Sequence, residues 1–143
     1  MKIANYFFFI VLALVCQPTA FALETPVAVK ASVILKAESS WDGKPIVYPE
    51  GKPEITGMII EIAPGGETGW HLHPVPSFGI LLEGELEIQL KSGAVKRLKA
   101  GEALAEVINT LHNSRNPGST PVKLMVFYAG IVGQKLTVKE HAE

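Results

Sequence analysis

Cysteine is almost absent from this chain of 143 residues: the only one, Cys16, lies inside an apolar leading stretch. Beyond residue 22 there is no thiol, so disulfides and thiolate metal ligands are excluded there. An excess of charge of one sign is lacking as well. Thirteen Lys and Arg residues against 14 Asp and Glu give a net charge of −1, and no basic run occurs, which argues against a nucleic-acid partner. No stretch of 18 or more apolar residues is present, so a multi-span membrane protein is not expected. Helical periodicity is missing too, which leaves neither a helical bundle nor a parallel sheet with crossover helices to build.

The leading stretch has its own pattern. Met1 and Lys2 form a short positive start, residues 3–16 are apolar apart from Asn5, and Gln17-Pro18-Thr19 breaks the run. Ala20-Phe21-Ala22 then has the small-x-small form that a signal peptidase accepts. Residues 1–22 are therefore expected to be a signal peptide cleaved after Ala22, with residues 23–143 forming one domain in the periplasm or outside the cell and no membrane attachment thereafter. A retained anchor fits less well because the run is short. Lipidation at Cys16 fits less well because bulky Val15 precedes it. No twin-Arg pair is present, so the chain would cross unfolded and acquire any metal outside the cytoplasm.

What remains reads as all-β. Short runs rich in β-branched residues recur between Gly, Pro, Asn and Asp clusters, roughly nine or ten of them, which suits a small antiparallel β-barrel or jelly roll. Strands are expected over 29–37, 46–48, 55–62, 68–73, 78–82, 85–91, 94–98, 103–107, 111–115 and 122–129. Leu86, Ile88 and Leu90 alternate with polar residues, and Ser92-Gly93 marks a hairpin. The Leu124/Val126/Tyr128 set is not expected to face inward together with that first set, because the Tyr128 hydroxyl needs a partner and Met125 and Phe127 compete for the core. So apolar a strand over 122–129 should be buried centrally or in a homodimer. The tail from Lys139 onward is expected to fray, with His141 in it and no ligand.

Two histidines carry the chemistry. His71 and His73 are two apart, and on a strand that spacing turns both imidazoles to one face. Farther on, alternation places Ser114 and Asn116 on the face of His112 and turns Asn113 and Arg115 away. The His71 and His73 nitrogens can converge on one metal ion, and two histidines on an exposed strand face would have the same spacing.

The surrounding spacing strengthens this. Gly65 precedes His71 by five intervening residues and Gly84 ends the next strand; Gly101 precedes His112 by ten, and Asn116 follows after three. The pattern resembles the cupin superfamily, with its motifs G(x)5HxH(x)3-4E(x)6G and G(x)5PxG(x)2H(x)3N. The resemblance implies a β-barrel with a mononuclear metal held by His71, His73 and His112, whether Fe, Mn, Zn or Cu, and often a homodimer. It also implies a span of activities from dioxygenases and oxalate-degrading enzymes to isomerases and seed storage proteins. This chain departs from the motifs at three positions. Ser77 stands where the motif has its acidic ligand, and Val107 and Asn109 replace the Pro and Gly of the second motif, where Asn can supply the left-handed backbone that Gly usually provides.

A hydroxyl compensates a cation poorly, so a carboxylate from elsewhere is the expected replacement. Glu106, alone in an otherwise apolar run, is the candidate for that and for acid-base catalysis; Glu67 is a weaker one. Ser77 and Phe78 are candidates for contact with a small-molecule substrate. Two functions are consistent with this: an exported enzyme of the dioxygenase, decarboxylase or isomerase kind, or a non-catalytic module that binds a small ligand or a metal. An inward Glu106 favours the first and an outward one the second.

Overall fold

In a computed structural model, residues 29–140 are described, and the expected signal segment, its boundary at 22/23 and His141 lie outside them. Among the described residues there is no helix. Nine strands follow in order: β1 (Pro53–Ile62), β2 (His71–Leu72), β3 (Ser77–Glu83), β4 (Glu85–Leu90), β5 (Val95–Lys99), β6 (Ala103–Ala105), β7 (His112–Arg115), β8 (Val122–Ile131) and β9 (Val138–Lys139). They form a four-stranded sheet, β1-β8-β3-β6, and a five-stranded sheet, β5-β4-β7-β2-β9, with every pairing antiparallel. This is the expected jelly roll.

Both sheets contribute to one apolar cluster, Ile62, Leu81, Leu104 and Val122 from the first and Leu86, Ile88 and Leu98 from the second. That cluster closes the barrel by removing large aliphatic surface from water. The tight hairpin β4-β5 and the turn at Gly84, where φ is +81° and an added Cβ would lie 2.7 Å from the Pro121 carbonyl oxygen, fix the register of this end. Asn109 has φ of +51°, the left-handed conformation expected for it in place of Gly.

Three expectations need correction. The described part of 29–37 is not a strand: Val33 is 83% and Ile34 60% exposed, and both lie in a surface groove beside Lys96, Arg97 and Leu98 without entering a ladder. Residues 46–48 likewise form no strand. β-branched composition favours a strand only where a neighbouring strand offers backbone partners. Second, both alternating sets face inward. Leu86, Ile88 and Leu90 are buried, and so are Val126 and Tyr128, while Phe127 is 47% exposed on the outer face. The Tyr128 hydroxyl meets the side chain of Thr137, which removes the objection to burying it. Third, the tail does not fray at Lys139: β9 pairs with β2, and the Glu140 N–H donates to the Trp70 carbonyl at 3.0 Å. The strand over 122–129 takes the central one of its two expected places: β8 is paired with β1 on one side and β3 on the other, so it presents no edge.

Candidate metal centre

The three predicted ligands meet on the inner face of the five-stranded sheet. His71 on β2 is the direct ladder partner of His112 on β7, and His73 follows two residues on, so strand pairing and the period of two together bring the rings to one place. Ring centroids are 4.3 Å apart for His71 and His112, 4.9 Å for His71 and His73, and 5.1 Å for His73 and His112. One ring nitrogen from each lies within 4.8 Å of the others, and all three side chains are buried.

Each ring is oriented the same way. Nδ1 of His71 meets the Gly69 carbonyl at 2.7 Å, Nδ1 of His73 the Leu136 carbonyl at 2.8 Å, and Nδ1 of His112 the Thr110 carbonyl at 2.9 Å. A carbonyl only accepts, so Nδ1 carries the proton in all three rings and the lone pair sits on Nε2. Carbonyl bonds of this kind fix the tautomer of metal-binding histidines. The rings are also kept neutral. Burial pulls the His73 imidazole down to about 4, and burial lowers His71 and His112 as well. Neutral, Nε2-presenting imidazoles are the form that a first-row divalent ion requires, so the donor set fits one.

The cup above them has a volume of about 260 Å³. Glu106 lines it, which answers the inward-or-outward question in favour of inward. Its Oε1 accepts from Trp41 Nε1 at 2.8 Å and from the Val107 N–H at 2.9 Å, and among the described residues Oε2 has no hydrogen-bond partner. Burial raises its carboxyl toward the neutral form, against the pull of those two donors. Glu106 is not within the close cluster of nitrogens.

The remaining candidates lie apart from the cup. Ser77 is buried on β3 with its Oγ lacking a hydrogen-bond partner, but it is not among the residues lining the cup. Phe78 lies on the other face of β3, beside Phe127 of β8 and Ala105 of β6, so its side chain does not reach the site. Glu67 is exposed and accepts from Asn113 at 2.8 Å. Arg115, as expected, points away and pairs with Glu87 at 2.6 Å, as does Arg97 at 2.8 Å. Asn116 donates to the Ile62 and Thr120 carbonyls and accepts from the Gly118 N–H, which makes it a latch for the turn and not a ligand. Tyr128, edge-on to His73 at 5.2 Å, Thr137 just before β9 and Lys139 on β9 also line the cup. The period-two pattern of 122–129 carried the signal for Tyr128; a two-residue strand carried none for Lys139.

Fold and site together define a double-sheet β-barrel with three convergent histidines on one wall. The chain belongs to the cupin superfamily: the family model for the cupin domain matches residues 58–128. Two biosynthesis-cluster proteins are similar to about half of the chain. Oryzines biosynthesis cluster protein J of Aspergillus oryzae is 31% identical over 70 residues, which is 49% of this chain and 38% of the relative. Phomopsin biosynthesis cluster protein D of Diaporthe leptostromiformis is 35% identical over 69 residues, 48% of this chain and 36% of the relative. The chain thus spans little more than a third of the length of these curated relatives. Among solved structures, a double-stranded β-helix domain protein from Klebsiella pneumoniae superposes with a TM-score of 0.53 at 23% identity, covering 67% of this chain and 86% of the other. The oxalate decarboxylase of Lactobacillus farciminis, in its formate complex, gives 0.52 at 21% identity, covering 59% and 26%. These two similarities establish the fold.

Proposed function

We propose that this chain is an exported cupin that holds one divalent metal ion on Nε2 of His71, His73 and His112 and transforms a small molecule in the cup above it. The observation that carries the reading is the common bonding of the rings, since three Nδ1-to-carbonyl bonds leave three Nε2 lone pairs turned to one point. A first-row ion held there supplies Lewis acidity with open coordination positions, as oxygenation, decarboxylation and isomerisation each require. Glu106 supplies a proton-transfer group at Oε2, its carboxyl kept from bulk water and anchored through Oε1. Oxalate decarboxylase is the activity named for one of the structural relatives.

The test is elemental analysis of the protein purified from its exported location. Stoichiometric metal is expected in the wild type and none in His73→Ala, with the β circular-dichroism spectrum unchanged. Full occupancy in His73→Ala removes the three-histidine assignment. A binding module without turnover is the second reading, favoured by Ser77 standing at the motif's acidic position and by the lack, among the described residues, of a carboxylate in the nitrogen cluster. Glu106→Gln separates the two: it retains metal in both, but abolishes turnover only if the cup is catalytic.

We further propose a homodimer through the outer face of the four-stranded sheet. Two ladder rows there are apolar from edge to edge: Gly57, Phe127, Phe78 and Ala105, and Ile59, Met125, Ile80 and Ala103. Ile59 is 49% exposed. Four strands about 4.8 Å apart and up to ten residues long give roughly 500 Å² in plan before side-chain relief. That is the order of the ~800 Å² per partner of a stable interface. Phe127→Glu should turn a dimer into a monomer in light scattering with metal content unchanged; a wild-type monomer refutes the interface.

A further inference from the structure

The cup has two unlike walls. The four-stranded sheet lines it mostly with aliphatic side chains, Met58, Ile60, Leu104, Leu124 and Val126, together with Tyr128 and, just beyond β6, Glu106. The five-stranded sheet lines it with the three imidazoles and, at the rim, Lys139. The ladder places this lysine. Leu90, His112, His71 and Lys139 are direct neighbours across β4, β7, β2 and β9, so the Lys139 side chain leaves the sheet on the face that carries His71 and His112. Its position is held from the next residue: Glu140 bonds the Trp70 carbonyl through its N–H, and its carboxylate pairs with Lys91 at 2.8 Å.

Among the described residues the Lys139 ammonium, like those of Lys52, Lys96, Lys99 and Lys135, has no ion pair; of these, only Lys139 lines the cup. Lys139 is the one cationic side chain, among the described residues, lining a pocket whose carboxyl-bearing residue, Glu106, is tied through Oε1 to Trp41 and Val107, and a cation at the mouth of a pocket with an aliphatic wall favours an anion there. One ammonium matches one negative charge. A phosphate dianion would call for the several N–H donors or the guanidinium fork that this rim lacks. A cavity of about 260 Å³, at ~30 Å³ per water-sized group, takes a molecule of roughly nine non-hydrogen atoms.

We infer that the cup selects a short-chain aliphatic monocarboxylate, with the carboxylate on the Lys139 and histidine side and the hydrocarbon body against Ile60, Leu124 and Val126. Placing the carboxylate beside a metal ion rests on the function proposed above; the Lys139 contact does not. A fully polar anion such as oxalate would leave the aliphatic wall without a partner and so binds more weakly than a carboxylate with a tail.

The experiment is calorimetric titration of the full chain with hexanoate, hexanamide, acetate and dodecanoate, with metal content measured on each sample and a parallel series in chelator. Hexanoate is expected to bind best, acetate to lose the tail contact and dodecanoate to exceed the cavity. Lys139→Met should weaken hexanoate roughly tenfold to a hundredfold and abolish the preference over hexanamide, as loss of a charged hydrogen bond does. Lys139→Arg should restore most of the preference. If hexanoate and hexanamide bind alike, or Lys139→Met leaves their ratio unchanged, the inference is overturned. If the wild type carries and takes up no metal yet prefers hexanoate in chelator through Lys139, the metal reading fails and the anion site stands.

Discussion

Acid should loosen the metal-free fold chiefly through His73. Its imidazole titrates near 6.5 in an unfolded chain and at about 4 when folded, because burial disfavours the charged ring. The folded state therefore binds fewer protons than the unfolded state between those values. Its contribution is fully present above pH 6.5 and is lost as pH falls toward 4. At 1.36 kcal/mol per unit, the loss by pH 4 is about 3 kcal/mol, a large part of the 5–15 kcal/mol typical of a domain. His71 and His112 are lowered by burial as well and act in the same direction. Glu106 acts oppositely: its raised carboxyl stabilises the fold below the ordinary carboxylate range and loses that contribution as pH rises through its folded value.

The assay is urea unfolding in chelator, followed by the fluorescence of Trp41 and Trp70, at steps from pH 7 to 4. The comparison is His73→Asn, which cannot titrate but keeps a donor for the Leu136 carbonyl. The wild type should lose about 3 kcal/mol more than the variant over that range. Equal slopes for the two proteins would refute the burial argument for His73. Bound metal enlarges the difference in the same direction, since protons and metal compete for the same Nε2 atoms, and it carries the loss to lower pH.

Much of the site was legible because strand periodicity is local. The two-residue spacing of His71 and His73, the shared parity of His112 and Ser114, and the inward Leu86, Ile88 and Leu90 all follow from alternation, and the structure keeps each of them. What alternation cannot supply is the identity of a neighbour. The residues of 29–37 have strand composition, but no strand edge takes them up among the described residues. Tyr128 was expected to conflict with the core because its partner, Thr137, lies in a segment with no pattern of its own. Phe78 could be placed inside or outside only once β3 was known to start at Ser77 with its odd-numbered residues inward. Trp41 and Glu106 are 65 residues apart, and nothing in either neighbourhood announces their bond.

Ile88→Ala should cost about 2–5 kcal/mol in chemical denaturation, as for a fully buried aliphatic side chain whose loss leaves a cavity. Asn116→Ala leaves the Ile62 and Thr120 carbonyls and the Gly118 N–H without their partner, and should destabilise the turn by at least about 1–3 kcal/mol with metal content intact. Divalent metal at a hundred times its Kd should raise wild-type stability by about 2.7 kcal/mol and leave His73→Ala unchanged, read by thermal unfolding with and without chelator. Trp41→Phe tests the anchoring of the proposed proton-transfer group. The indole N–H donates to Glu106 Oε1 and so favours the ionised carboxylate. Phenylalanine keeps an aromatic ring but removes the donor, leaving the Val107 N–H as the remaining bond to that oxygen. The carboxyl should then ionise at higher pH than in the wild type, read from the infrared band of the protonated acid that Glu106→Gln identifies by its disappearance. Metal content should stay the same, because none of the three histidines bonds to the indole. A midpoint that does not move, or that falls, would mean that Trp41 does not hold Glu106, and the carboxyl's place in the cup would then depend on the backbone bond alone.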